Sequence, residues 1–259
     1  MSDPTVPSLT LLGTGTSMGV PMIGCECPVC TSTDPHNHRT RTGVLIRGPQ
    51  GNLLIDTSPE LRVQLIPQHV RQIAGVLFTH AHADHIMGLD DLRIFGFRQE
   101  GSIPLFCEAI VEETLRRTFA YAFAAGDTLH SKPRLAFHRI GTEPIDLCGL
   151  RIQPIRLIHG RLPILGFRIN DVAFCTDVSE IPDESWAHLS NLDVLILGAI
   201  RHEPHPTHFS VDQALQVIAK ARPRRAYLTH ISHTLEHAET NRLLPNQVAL
   251  AYDGLEVML

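Results

Sequence analysis

Four side chains that can bind metal ions fall within six consecutive residues of this 259-residue chain, directly after the apolar run Ala74–Phe78. They are His80, His82, Asp84 and His85. In an extended segment, residues two positions apart point to the same side, so His80 and His82 can face one metal ion. A turn after them would bring Asp84 and His85 to a second position nearby. Because nitrogen and oxygen ligands without sulfur suit zinc, manganese or iron, the motif predicts a site for such ions.

Three cysteines form a second group with metal-ligand spacing, at Cys25, Cys27 and Cys30. Three thiolates this close together, with the turn-forming Pro28 between them, suit a structural tetrahedral zinc ion that needs one further ligand. A redox pair is the alternative, but no βαβ pattern follows the motif. The other three cysteines lie in or beside predicted strands, where we expect buried apolar residues: Cys107, Cys148 and Cys175.

The composition excludes several classes of function. Hydrophobic residues make up 43% of the chain and charged residues 19%, as in a globular protein with a sizeable core. The net charge of −5 gives no basic field that would attract nucleic acid or an anionic membrane. The longest apolar runs, such as Leu192–Ile200, are much shorter than the ~20 residues needed to span a bilayer. The first residues show no secretion signal, so we expect a cytoplasmic protein without a membrane partner.

The elements that must position these side chains are short runs rich in β-branched residues and leucine, which predict eleven strands. The predicted strands are Ser8–Gly13, Gly43–Arg47, Asn52–Asp56, Ala74–Thr79, Ile103–Cys107, Leu150–Ile158, Ile164–Ile169, Val172–Thr176, Asp193–Leu197, Arg225–Thr229 and Val248–Tyr252. Helical spacing of apolar residues predicts helices at Glu108–Phe123 and Ser210–Ala221, the second with a capping box from Ser210 and Gln213. This pattern predicts stacked sheets flanked by helices. Without a linker between the halves, residues 1–259 are expected to form one domain.

The His-x-His-x-Asp-His sequence at residues 80–85 resembles the signature of the metallo-β-lactamase superfamily, whose α/β (α+β) fold is a four-layer αββα sandwich. The family has three further ligands, each after a strand, and His159, Asp177 and His230 match them in type, order and context. The resemblance implies two divalent ions (Mn, Zn or Fe) that share a hydroxide between them. One ion would bind His80, His82 and His159, and the other Asp84, His85 and His230, with Asp177 bridging. Asp56, at a strand end, would orient a ligand histidine or cap a helix.

The cysteine group, preceded by Leu11–Pro21, is similar to that of the phosphodiesterases of the carbon–phosphorus lyase pathway (PhnP-type). In that branch the fourth ligand of the structural zinc lies just beyond the last active-site histidine, which corresponds to His233 here. The resemblance also implies two catalytic residues, Asp84 and His208. His208 would protonate the leaving oxygen and would not bind metal. His205 is the alternative for that role.

The resemblance therefore implies a binuclear metal-dependent phosphodiesterase that hydrolyses small or cyclic phosphodiesters, such as a cyclic ribose phosphate or a 2′,3′-cyclic nucleotide. Metal-bound hydroxide would attack phosphorus and His208 would protonate the departing oxygen. A tRNA 3′-processing endoribonuclease is one alternative, but the stretch Ala124–Arg134 holds too few basic residues for an RNA-gripping arm. A metal-binding accessory protein of coenzyme PQQ synthesis, whose branch also carries the three cysteines, is another. We expect a small phosphodiester as the partner, no extended nucleic-acid surface, and a homodimer.

Overall fold

The computed structural model describes residues 6–124 and 132–259, which contain fourteen strands and seven α-helices. The strands are β1 (Ser8–Gly13), β2 (Gly43–Gly48), β3 (Gly51–Ile55), β4 (Gly75–Leu77), β5 (Ile103–Cys107), β6 (Leu135–Arg139), β7 (Ile145–Leu147), β8 (Leu150–His159), β9 (Leu162–Ile169), β10 (Val172–Cys175), β11 (Val194–Gly198), β12 (Arg225–Thr229), β13 (Val248–Leu250) and β14 (Glu256–Met258). The helices are α1 (Leu61–Leu65), α2 (Ala83–Ile86), α3 (Arg93–Gly96), α4 (Ala109–Thr118), α5 (Ala120–Phe123), α6 (Val211–Ala221) and α7 (His237–Leu243).

The strands form two seven-stranded sheets that contain both parallel and antiparallel pairs. The first sheet has the order β14-β1-β2-β3-β4-β5-β6, and the second has the order β13-β12-β11-β10-β9-β8-β7. Strands β3 to β6 run parallel to one another, as do β10 to β13. The carboxyl ends of such parallel strands are where α/β sheets bind ligands.

Alternating side chains on the strands build three apolar layers. On β3, Leu53 and Ile55 face the second sheet, whereas Leu54 lies against the helices outside the first sheet. Because successive side chains on a strand point to opposite faces, the same strand serves two layers. Helix α6 covers the outer face of the second sheet through Val211, Ala214 and Ile218 among others. The predicted αββα sandwich is confirmed.

All eleven predicted strands overlap observed ones, and three observed strands were not predicted. Strands β7 and β14 have only three residues each, and β6 (Leu135–Arg139) has no fully buried residue to give an apolar alternation. The predicted helix Glu108–Phe123 is divided at Phe119, whose backbone is not helical, into α4 and α5. Helix α6 begins with the predicted capping box of Ser210 and Gln213. Four short helices of four to seven residues, α1, α2, α3 and α7, carry too little periodicity to predict.

Two further sequence expectations can be compared with the described residues. Cys107 and Cys175 are fully buried as expected, but Cys148 is only half-buried, because it lies in a left-handed turn between β7 and β8. Most of the stretch Ala124–Arg134 lies outside the described residues, at 125–131. Within the described ranges, none of the helices is long and apolar enough to cross a bilayer.

Candidate metal centre

The predicted ligands come from loops at the carboxyl ends of strands in both sheets. His80 follows β4, His159 is the last residue of β8, and His230 directly follows β12. Helix α2 begins just after His82, so Asp84 and His85 lie in its first turn. The structure thus brings residues that are up to 150 positions apart in the chain to one edge of the sandwich.

The ligand atoms form two adjacent groups that match the predicted division. In each group the candidate ligand atoms all lie within 4.8 Å of one another: His80, His82 and His159 in the first, and Asp84, His85, Asp177 and His230 in the second. The two oxygens of Asp177 face different histidines, with Oδ2 3.2 Å from His85 Nε2 and Oδ1 3.3 Å from His230 Nε2. The candidate ligand atom of Asp177 also lies within 4.8 Å of that of His159, which belongs to the first group. Asp177 therefore lies between the two groups.

Each buried ligand histidine has a hydrogen-bond partner at Nδ1, which leaves Nε2 directed into the site. His159 Nδ1 donates to the backbone carbonyl of Thr207 at 2.7 Å. His230 Nδ1 is 3.1 Å from the Thr42 hydroxyl. Partners of this kind fix which nitrogen carries the proton and hold the ring in place for a metal ion.

Asp56 and Thr79 provide the corresponding contacts for one histidine of each group. His85 Nδ1 is 2.7 Å from Asp56 Oδ2. The Thr79 hydroxyl donates to the same carboxylate at 2.8 Å, so its oxygen is free to accept from His80 Nδ1 at 2.9 Å. The single buried carboxylate of Asp56 thus orients His85 directly and His80 through Thr79. The position of Asp56 at a strand end predicted its contact with a ligand histidine, whereas no motif marked Thr79.

The donor set fits bound metal ions. Nε2 of His80 is buried and has no hydrogen-bond partner among the described residues. Nε2 of His85 is also buried and faces carboxylate oxygens of Asp84 and Asp177 at 3.3 and 3.2 Å, without hydrogen-bond geometry. A buried polar atom without a partner costs roughly 1–3 kcal/mol, so the two nitrogens point to a ligand that satisfies both. Imidazole nitrogens with two carboxylates suit zinc, manganese or iron.

Three residues of the site have left-handed backbone conformations. The φ angles are 63° at Asp56, 53° at Asp177 and 57° at His230. Positive φ is uncommon outside glycine, and such backbone strain concentrates at functional sites. Each of these residues follows a buried strand, so the left-handed residue turns the chain sharply where the side chain enters the site.

Electrostatics in the metal-free site favour a protonated His85. Burial lowers the pKa of His85, but Asp177, Asp56 and Asp84 together outweigh burial and raise that pKa well above its ordinary value. Burial likewise opposes ionisation of Asp177, yet His230 and His85 hold its pKa well below the usual range. A metal ion that binds there must displace the proton of His85.

His208 lies beside both ligand groups, and its ring is closer to them than that of His205. The His208 ring centroid is 4.6 Å from that of His159 and 4.8 Å from that of His230, and its Nδ1 is 3.9 Å from Asp177 Oδ1. His205 contacts His208, with 5.0 Å between ring centroids, and its Nδ1 accepts from the backbone N–H of Thr207. Burial and the neighbouring His230 lower the pKa of His208 to about 3, so the ring is neutral until an anion arrives. The candidate ligand atoms of His208, His159 and Asp177 also lie within 4.8 Å of one another.

The cysteine group and His233 form a separate tetrad. The Sγ atoms of Cys25 and Cys27 are 3.3 and 3.4 Å from His233 Nδ1, and the candidate ligand atoms of the tetrad, Cys30 included, lie within 4.8 Å of one another. A tetrahedral zinc ion spaces sulfur and nitrogen ligands by roughly 3.6 Å, close to these distances. The backbone N–H of Cys30 and then the His233 ring lower the pKa of Cys27 to about 6, which favours the thiolate that binds metal. His233 is three residues beyond His230, so one segment reaches both sites.

Comparison with known proteins assigns the class. Residues 51–231 match the β-lactamase superfamily domain, and the chain belongs to this superfamily. Over its full length it is similar to a crystal structure described as a new diphosphatase from the PhnP family, with 41% identity, a TM-score of 0.90, and coverage of 98% of this chain and 97% of that one.

Two further relatives differ in sequence identity and in how much of their length the chain covers. Zinc-bound PqqB from Methylobacterium extorquens shares the fold, with a TM-score of 0.80, 18% identity, and coverage of 97% of this chain and 100% of that chain. A curated octanoyltransferase of Porphyromonas gingivalis is 37% identical over 253 residues, which cover 96% of this chain but 51% of that protein. The chain therefore spans about half the length of this curated relative.

Proposed function

We propose that the chain is a binuclear metal-dependent phosphodiesterase that hydrolyses small or cyclic phosphodiesters. The observation that carries the proposal is the position of Asp177 between the two ligand groups, close to His85 and His230 of one group and to His159 of the other. Two ions ~3.5–4 Å apart are typical of phosphatases and nucleases, because such a pair stabilises both the attacking and the leaving oxygen.

In this proposal the ligands divide as the geometry groups them. His80, His82 and His159 would hold one ion, and Asp84, His85 and His230 the other, with Asp177 shared. When bound, the ions supply Lewis acidity and a nucleophile at neutral pH. The tetrad of Cys25, Cys27, Cys30 and His233 would hold a structural zinc.

The remaining steps belong to side chains of the chain itself. His208 lies next to the ligand groups, where it can hold a proton for the leaving oxygen. The burial that lowers the pKa of His208 is opposed once a negatively charged phosphoryl group lies beside the ring. The hydrogen bond from His159 to the Thr207 carbonyl keeps His208 near the reacting atoms, because His208 directly follows Thr207 in the chain. Asp84 would act from α2 as both ligand and catalytic residue.

A diphosphate is the second candidate substrate. It is favoured by the 41% identity to a PhnP-family diphosphatase that this chain matches from end to end. A phosphodiester and a substituted diphosphate both present a phosphorus atom with two bridging oxygens, so the same ligands and the same proton donor would serve. The net charge of −5 argues against a long RNA substrate.

A substrate panel on Mn²⁺- and Zn²⁺-reconstituted protein tests the proposal. The panel contains bis-p-nitrophenyl phosphate, 2′,3′-cyclic AMP, a nucleoside diphosphate sugar, an octanoyl thioester and precursor tRNA, with Asp177→Asn as the inactive control. We expect turnover of the diesters that Asp177→Asn abolishes. Faster turnover of the diphosphate would establish the second candidate, and turnover of only the thioester or tRNA would overturn both. Elemental analysis should find about three metal ions per chain.

The proposal also covers the domain organisation, the oligomeric state, the location and the partners of the chain. We expect one domain over residues 1–259 that works as a cytoplasmic homodimer on a small phosphodiester, without a membrane or nucleic-acid partner. Sedimentation of the purified protein tests the dimer, since a monomer at micromolar concentration would contradict it.

A further inference from the structure

Thr42 is a fully buried residue that no sequence motif marked, and its hydroxyl touches two other parts of the chain. Its Oγ1 donates to the backbone carbonyl of Gly15 at 3.1 Å. The same oxygen lies 3.1 Å from Nδ1 of His230, and both side chains are inaccessible to solvent. A hydroxyl has one proton and two acceptor lone pairs. With its proton directed to Gly15, the oxygen accepts from His230.

The surrounding backbone holds Gly15 between the segments of both partners. Gly15 pairs in parallel with Arg41, the residue before Thr42, and also with Ile231, the residue after His230. A Cβ at Gly15 would lie 2.9 Å from the carbonyl oxygen of Arg39, so only glycine allows this approach. The Gly15 carbonyl is therefore fixed where the Thr42 hydroxyl must meet it.

We infer that Thr42 is a positioning residue for the metal centre: it holds His230 with its proton on Nδ1, so that Nε2 faces Asp177 as an unprotonated ligand. Nε2 of His230 lies 3.3 Å from Asp177 Oδ1, on the side of the ring away from Thr42. Only an unprotonated imidazole nitrogen can bind a metal ion, and the bond at the other nitrogen selects which one that is. The inference rests on the ligand role proposed for His230.

Three variants separate the hydroxyl of Thr42 from its bulk. Thr42→Val keeps the branched shape and removes the hydroxyl, whereas Thr42→Ser keeps the hydroxyl and removes the methyl group. Thr229→Val is the matched control, because Thr229 is equally buried and adjacent to His230, but its hydroxyl has no partner among the described residues.

The first measurement is the affinity of the active site for Mn²⁺ alone, titrated into protein that retains its structural metal. We expect Thr42→Val to weaken one of two binding events about 10- to 100-fold. Thr42→Ser and Thr229→Val should stay within a factor of about 3 of the wild type, because neither removes the hydroxyl that contacts His230. Wild-type affinity in Thr42→Val would overturn the inference, as would an equal loss in Thr42→Ser, which would assign the effect to packing.

The second measurement needs neither a bound ion nor activity. Long-range ¹H–¹⁵N NMR of the histidine rings in the protein without active-site metal should show His230 as the Nδ1–H tautomer in the wild type and not in Thr42→Val. An Nε2–H tautomer in the wild type would overturn the inference. Because this readout is independent of substrate and metal, it can succeed or fail separately from the proposed function.

Discussion

Oδ2 of Asp56 lies 2.7 Å from Nδ1 of His85, and both side chains are completely buried. The same carboxylate accepts from the backbone N–H and the hydroxyl of Thr79. This arrangement connects His85 of one candidate ligand group with His80 of the other, because Thr79 in turn contacts His80.

Substitution of Asp56 should weaken metal binding and destabilise the protein together. In Asp56→Ala, His85 loses its charged partner and Thr79 loses the acceptor that orients its hydroxyl. We expect a 10- to 100-fold loss of affinity for the active-site ions and a loss of stability of about 3–5 kcal/mol. Titration with Mn²⁺ and denaturant unfolding measure the two effects. The control is Glu112→Ala, which removes a buried carboxylate whose partners are Arg116 and Arg139, neither of them a candidate metal ligand. Equal loss of metal affinity in both variants would contradict the prediction.

The metal-free protein should lose stability as the pH rises into the alkaline range. The carboxylates around His85 raise its pKa in the folded state above the unfolded value of about 6.5. A raised pKa contributes stability that is complete below pH 6.5 and is lost as the pH passes through the folded value. We therefore expect the unfolding free energy of metal-free protein to fall above about pH 8. At lower pH the histidines whose folded pKa is lowered, such as His80 and His208, add stability as the pH rises to about 7.5 and offset the loss from His85. Mn²⁺ affinity should increase as the pH rises because the proton leaves His85 more easily. Metal-free protein whose stability still rises above about pH 8 would contradict this.

Removal of one thiol ligand should affect both metal sites. Cys27→Ser removes one ligand of the tetrad that contains His233, which is three residues from His230. We expect loss of one zinc ion per chain and lower turnover, since metal binding and local folding are linked. Elemental analysis and steady-state kinetics measure both, with the half-buried Cys148→Ser as control. Full activity after loss of that zinc would show that the two sites are independent.

Variants of His208 and His205 should differ in turnover. His208→Ala should retain the metal ions and lose about 10²- to 10⁴-fold in turnover, the usual effect of removing a general acid. His205→Ala should cost less, because the His205 ring contacts His208 and Thr207 rather than a candidate ligand. Loss of an ion from His208→Ala would instead identify His208 as a ligand, since it lies within ligand distance of His159 and Asp177.

A glycine in the loop after β8 should prove sensitive to a single added methyl group. Gly160 has a φ of 64°, and a Cβ there would lie 2.8 Å from Cγ2 of Thr207, whose carbonyl holds His159. We expect Gly160→Ala to reduce turnover at least 10-fold, because shifts near 1 Å at a catalytic site can cost up to 10²-fold. Gly254→Ala is the control for backbone strain alone, since its φ is 92° and nothing lies within 4 Å of the added atom. Equal activity of the two variants would contradict the collision with Thr207.

The sequence predicted the ligand types better than their supports. His80, His82 and His85 carry a dense local motif, and His159, Asp177 and His230 each follow a strongly apolar strand, so order and residue type sufficed. The supports of the ligand rings depend on contacts between distant segments. Thr42 is 188 positions from His230, and Thr207 offers only a backbone carbonyl, which has no sequence signature.

The fold shows the same division between local pattern and distant contact. Buried strands such as β1 and β12 were predicted to the residue because both flanking layers require apolar side chains there. Three of the four edge strands, β6, β7 and β14, were missed, because a strand that pairs on one side only needs fewer apolar residues. The fourth edge strand, β13, was predicted because its Val248 and Leu250 are buried. Helix α2 has only four residues, too few for helical periodicity to reveal it.

The tetrad of Cys25, Cys27, Cys30 and His233 joins two segments whose members are 208 positions apart along the chain. A zinc ion held there would act as a reversible crosslink that encloses most of the polypeptide in a single loop. By the loop-entropy relation for covalent crosslinks, closing a loop of that length raises the free energy of the unfolded chain by about 5 kcal/mol while the ion stays bound. A chelator that removes this one ion would then lower the unfolding temperature of the whole protein.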